Sequence, residues 1–158
     1  MTEEKLHKQI CQYISAQYPK LIFNTDLSGL KLTMGQAIKA KNLRSSNGFP
    51  DILILEPKIY GNGEIEETQE SGDKLSHIIP IFWFCGLFLE VKKESPYLKD
   101  GTTLKKMKRS EKINGIKLEY DHLQRQDEMH KKLRMKGYMA TFVWSFDMAK
   151  KVIDNYMK

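Results

Sequence analysis

The apolar positions of the chain change period several times, and each change marks an element. Leu6, Ile10, Tyr13, Ile14 and Gln17 recur at helical spacing and Pro19 closes the run, which predicts a helix over 3–18. Leu21-Ile22-Phe23 reads as a short strand before an Asp26–Gly29 turn, and Ser45-Ser46-Asn47-Gly48 is a loop signal. Asp51 to Leu55 is almost continuously apolar, the mark of a strand covered on both faces. Residues 57–74, rich in Gly, Glu and Asn, read as a mobile insertion or a hairpin projecting away from the core. A second apolar stretch, Ile78 to Val91, predicts one strand to Phe84 and another from Gly86. The segment 95–118 reads as a basic loop. Leu123, Met129 and Leu133 give a helix over 120–136 ended by Gly137, and Tyr138 to Phe146 alternates as a strand. Asp147 is placed to cap a last helix with Ala149, Val152, Ile153 and Tyr156 on one stripe. Helix, strands, helix, strand, helix is an α/β domain with a central sheet flanked by helices.

Composition narrows the class. A length of 158 residues fits one domain, and 41% apolar with 29% charged residues is ordinary for a globular protein. No apolar run reaches membrane-helix length, because Ile78–Val91 is broken by Pro80 and Gly86 and holds Glu90. The opening Met1-Thr2-Glu3-Glu4-Lys5 lacks the character of a signal peptide, and Cys11 and Cys85 have no zinc-type spacing, so a cytoplasmic, reducing setting without membrane is expected. The net charge of +6 is unevenly spread. Residues 98–117 carry a local +5 that includes Lys105, Lys106, Lys108 and Arg109, whereas 61–73 carry a local −5. A basic run can be a plain solvated face; a loop that holds nucleic-acid phosphates is the sharper expectation, with 31–44 as a second basic segment.

Three pieces carry chemistry together: Gly48-Phe49-Pro50-Asp51 opening a strand, Glu90-Val91-Lys92 closing another, and Gln126 on the following helix. Strand side chains alternate, so Leu87, Leu89 and Val91 share one face while Phe88, Glu90 and Lys92 share the other, and Lys93 points away from Lys92. If the two strands pair antiparallel, Asp51 meets Glu90 and Lys92. Adjacent carboxylates repel, and a divalent cation resolves the repulsion; oxygen ligands suit Mg²⁺ or Mn²⁺. Such a cation lowers the pKa of bound water and steadies phosphoryl charge. Lys92 could orient or deprotonate that water, or stabilise the pentavalent transition state. Gln126 lies three residues from both Leu123 and Met129 and therefore faces inward.

This grouping resembles the PD-(D/E)XK nuclease superfamily and, within it, the VRR-NUC domain common in phage proteins. The likeness covers most of the chain: "NGFPDILIL" is similar to the family's Gly-x-Pro-Asp strand, "GLFLEVKKE" to its Glu-x-Lys strand, and "LQRQDEMHKKLRMKGYMATFVWS" to its helix and following strand. The resemblance implies a restriction-endonuclease-like core with a mixed sheet, a single nuclease domain over 1–158, and Mg²⁺ or Mn²⁺ as cofactor. It implies that Asp51 and Glu90 hold the metal with the Val91 carbonyl, that Lys92 acts on the nucleophile, that Gln126 orients Lys92 or a water, and that Glu3 sits at the edge of the site. It also implies DNA as substrate, flap or junction selectivity, and a homodimer. Asp51 and Glu90 stand 39 residues apart, more than in compact family members, which marks 57–80 as an insertion.

The rival reading is a non-catalytic nucleic-acid-binding module on the same fold. A restriction-like enzyme would need a recognition element that only 57–80 could supply. His7, His77, His122 and His130 are scattered; His130 is expected to pack or face solvent, and Asp121-His122 lacks the partners of a histidine-metal nuclease. Cys11, Trp83 and Trp144 are expected in the core.

Overall fold

The computed structural model describes residues 1–25, 49–68, 74–113 and 116–158. The basic segment 31–44 and the 45–48 loop signal lie outside the described residues, as do the Asp26–Gly29 turn and positions 69–73 of the expected insertion.

A four-stranded sheet forms the centre. Its strands are Phe23–Thr25 (β1), Ile52–Ile54 (β2), Leu87–Val91 (β5) and Met139–Val143 (β8), in the order β1-β2-β5-β8. The β1/β2 and β2/β5 pairs are antiparallel and β5/β8 is parallel, so the sheet is mixed, as expected. All five residues of β5 are buried, because this central strand is covered on both faces.

One face carries Ile52, Ile54, Leu87, Leu89, Val91 and Val143. Helices Glu3–Gln17 (α1) and Phe146–Met157 (α3) close it with Leu6, Ile10, Ile14, Ala149, Ile153 and Tyr156, each of which is at most 5% exposed. Burying a Leu or Ile side chain contributes about 1.5–3 kcal/mol, so this layer is the main source of stability. The opposite face carries Leu53, Phe88 and Ala140 under helix His122–Met135 (α2), which buries Leu123, Gln126, His130 and Leu133. Among the described residues, no helix is long and apolar enough to cross a membrane.

Two hairpins leave this core. Lys58–Thr68 (β3) and Lys74–Phe84 (β4) pair antiparallel as a separate two-stranded sheet. The expected insertion is thus a hairpin, and its second arm runs on to Phe84, past the boundary at 80. It departs after Ile54 and returns before Leu87, at the end of the β2/β5 ladder opposite Asp51. Three strand residues at about 3.3 Å each separate it from the carboxylates. Gly86 permits the close return: a Cβ there would lie 2.7 Å from the Ile54 carbonyl oxygen.

The second hairpin corrects the loop expected over 95–118. Lys108–Ile113 (β6) and Ile116–Asp121 (β7) pair from Lys108↔Asp121 to Ile113↔Ile116. The intervening Asn114-Gly115 is a strong hairpin dipeptide that a charge-based reading passes over. Asp121 caps α2, its carboxylate accepting from the Leu123 and Gln124 amides, and Gly137 follows that helix with φ +80. The last helix is capped by Ser145, which accepts from the Met148 amide, and not by Asp147, which lies in the first turn. Both residue types can cap; the chain leaves β8 two residues earlier than Asp147 needs. Trp144 is half-buried against Tyr97, but Trp83 is 59% exposed and not in the core.

Candidate active site

Asp51 precedes β2, and the β2/β5 register Ile52↔Leu89 continued by one step sets Asp51 opposite Glu90. Its carboxylate accepts a 2.8 Å hydrogen bond from the Val91 amide. Phe49 anchors the approach, its ring 5.3 Å from that of Phe88. An extended residue sends its N–H and C=O to the same side, so the Val91 carbonyl also faces the Asp51 side. The Lys92 amide instead bonds Val143 across β8, as alternation requires.

Glu90 is 2% exposed and lies under α2. Its Oε1 accepts from Lys92 Nζ at 2.8 Å and from Gln126 Nε2. Its Oε2 is buried with no hydrogen-bond partner. Lys92 is 7% exposed whereas Lys93 is exposed, so strand parity separates them as expected. Burial pushes the Glu90 carboxyl up to about 8. Repulsion from Asp51 adds to this, the Lys92 ammonium opposes it, and Glu3 contributes further repulsion. Glu3 is exposed in the first turn of α1, at the rim, close enough for Glu90 to feel its charge.

The strand-borne residues and Gln126 therefore come together, with Glu3 outside them. Among the described residues, no three His, Cys, Asp or Glu side chains group as a metal cluster. Two carboxylates and a carbonyl still suit a Mg²⁺-type ion, which retains several waters and uses one or two protein carboxylates. The orphaned Oε2 of Glu90, a carboxylate near enough to feel the Asp51 charge, fits that donor set, since a buried anionic oxygen without a donor is costly unless a cation meets it.

The basic residues follow the Glu90–Lys92 strand along the chain. Lys106, Lys108 and Arg109 are exposed, and half-buried Lys105 lies 3.8 Å from Glu94. Arg125 of α2 docks the β6–β7 hairpin, with its guanidinium 3.6 Å over the Tyr120 ring and 3.0 Å from Glu111. Spacing along the chain does not single out His122, yet it sits where these groups converge. Burial lowers its pKa to about 4, aided by the positive charges of Arg109, Lys92 and Arg125. Arg109 is thus near enough to the Lys92 end of the site to act on the same neighbour.

No family model matches the sequence, and no curated protein matches it. Among solved structures, one described as a VRR_NUC domain protein superposes on 99% of this chain and 88% of its own, with a TM-score of 0.54 at 17% identity. At that identity the likeness concerns architecture alone. The chain has the restriction-endonuclease-like fold of a VRR-NUC domain.

Proposed function

We propose that this protein is a Mg²⁺- or Mn²⁺-dependent endonuclease that hydrolyses phosphodiester bonds in DNA, with a preference for flaps or branched junctions. The observation that carries the reading is the division of labour on Glu90. One oxygen is held by Lys92 and Gln126, and the other is buried without a donor, in a carboxylate that feels the Asp51 charge. A module that only binds nucleic acid gains nothing from a buried carboxylate whose ionisation burial opposes.

In this reading Asp51, Glu90 Oε2 and the Val91 carbonyl hold the cation. When bound, it supplies a water of lowered pKa and steadies charge on the phosphoryl oxygens. Lys92 either takes part in deprotonating and orienting the attacking water or neutralises charge in the transition state. The water oxygen bonds to phosphorus, one P–O ester bond breaks, and the leaving oxygen gains a proton. Gln126 fixes the Glu90 carboxylate, and Glu3 at the rim orders solvent. Lys105, Lys106, Lys108 and Arg109 grip the backbone without reading bases. The preference for flaps or junctions and a homodimeric state follow the VRR-NUC likeness.

The test is a cleavage panel of single strand, duplex, flap and four-way junction with Mg²⁺, Mn²⁺ or EDTA. Metal-dependent cutting, strongest on the branched substrates, is expected. Binding of every substrate without cleavage in either metal would favour a non-catalytic module.

A further inference from the structure

Gln126 has one atom that the site does not account for. Its Nε2 donates to Glu90, but its Oε1 is buried and without a partner. One turn later on the same face, His130 is 0% exposed, and neither of its ring nitrogens has a partner. Residues four apart on a helix are neighbours, and helical side chains lean toward the N-terminus, so the imidazole lies over the turn that carries Gln126. The sheet beneath repeats the pairing. His130 packs on Phe142 with ring centroids 4.5 Å apart, and Phe142 is the β8 partner of Glu90, the residue that Gln126 reaches. A lone acceptor and a lone donor thus face one small region of the interior.

Burial lowers the His130 pKa to about 4, with the Arg134 charge adding to the effect, so the ring is neutral at pH 7 and carries one N–H. Leaving both Gln126 Oε1 and that N–H unbonded would cost far more than joining them.

We propose that His130 is a positioning residue, whose ring N–H is linked to Gln126 Oε1 through one buried water, since no direct bond joins them, and so fixes which end of the amide meets Glu90. The amide has two ends of similar shape. With Oε1 tied to His130, only the NH₂ end can turn to the carboxylate, which it holds together with Lys92. Glu90 Oε2 then stays free to serve as a cation ligand. Without the tie the amide can reverse and set its oxygen against the carboxylate, releasing Glu90. His130 therefore touches neither substrate nor metal but sets the metal affinity through Gln126. This assignment rests on the nuclease reading of the Asp51–Glu90 pair.

Mn²⁺ binding to the full chain, read by electron paramagnetic resonance without nucleic acid, tests the assignment. His130→Phe keeps an aromatic ring against Phe142 but has no N–H; His130→Gln regains a donor. Removing such an outer support typically weakens metal affinity ~10- to 100-fold. The phenylalanine variant should show that weakening while still folding, since an aromatic ring of similar size keeps the packing on Phe142. The glutamine variant should bind within ~3-fold of wild type, on the same scale. A folded phenylalanine variant with wild-type affinity, or a glutamine variant as weak as it, overturns the assignment.

A crystal structure of the wild type decides the matter if the phenylalanine variant does not fold. A water bonded to both an imidazole nitrogen and Gln126 Oε1 is expected, and its absence is the contrary result. A wild type that binds no Mn²⁺ would contradict the metal reading itself, while the crystal structure would still decide the link to Gln126.

Discussion

Glu90 and Asp154 are both carboxylates held by a lysine together with neutral donors, yet the molecule uses them in opposite ways. Asp154, on α3, accepts from the hydroxyls of Tyr13 and Tyr18 through Oδ1, the latter at 2.9 Å, and from Lys150 Nζ at 2.6 Å through Oδ2. Both oxygens are satisfied at a solvent-accessible edge. The Lys150 hydrogen bond, followed by that of Tyr13, holds its pKa down at about 2. Glu90 has one oxygen with two donors and one with none, deep under α2, and its pKa is driven up to about 8 by burial. A satisfied carboxylate ties α1 to α3. An unsatisfied one beside a second carboxylate is a structural cost that a bound cation would offset.

The comparison is tested most severely on the lysines. Lys92→Ala should lower the cleavage rate by ~10²-fold or more, the scale for a group acting in the transition state. Lys93→Ala and Lys150→Ala should leave the chemical step nearly unchanged. Equal rate losses at Lys92 and Lys93 would show that strand parity does not govern this site.

Surface charge should divide in the same way. Neutralising Lys105, Lys106, Lys108 and Arg109 together should weaken DNA binding for all sequences alike. It should also flatten the salt dependence by up to ~0.9 in log–log slope for each duplex phosphate that the variant no longer neutralises. Neutralising Lys150, Lys151 and Lys158, around Asp154, should leave that slope in place. Titrations against salt in a cleavage-dead background separate the two; identical slopes for the wild type and the quadruple variant would make the β6–β7 hairpin a plain solvated face.

The smallest effects concern stability, and they have opposite signs. Glu90 is raised above its unfolded value, so without metal its contribution is full below about pH 4.5 and is lost as pH rises toward 8. Glu90→Gln should therefore raise the metal-free Tm at pH 8 and change it little at pH 5. Asp154 is lowered, so its contribution is full above about pH 3.8 and is lost as pH falls toward 2. Asp154→Asn should lower the Tm at neutral pH, with the difference fading in acid. Thermal melts at pH 2.5, 5 and 8 check both slopes; slopes of the same sign would break the contrast.

How far the sequence reveals this follows from the length scale of each interaction. Asp51, Glu90 and Lys92 are legible because strand alternation has a period of two and a single antiparallel pairing brings them together. Gln126 is legible from helical spacing against Leu123 and Met129. The Asp154 cluster is not, since Tyr13 and Asp154 are 141 residues apart and no local pattern links them. His130 reads along the chain as packing or surface, because burial without a partner shows only once α2 lies on β8. The β6–β7 hairpin is hidden by its charge, although Asn114-Gly115 signals it. Trp83 looks like core in its apolar run, but its strand belongs to a hairpin outside the central sheet.

Whether Asp51 and Glu90 hold a catalytic cation is decided by the single-turnover cleavage rate of a flap substrate against Mn²⁺ concentration, for wild type, Asp51→Asn and Asp154→Asn. A saturable, EDTA-reversible rate is expected for wild type and Asp154→Asn, and no cleavage above background by a folded Asp51→Asn. Cleavage that persists in EDTA, or that Asp51→Asn retains, would mean that Asp51 and Glu90 hold no catalytic cation.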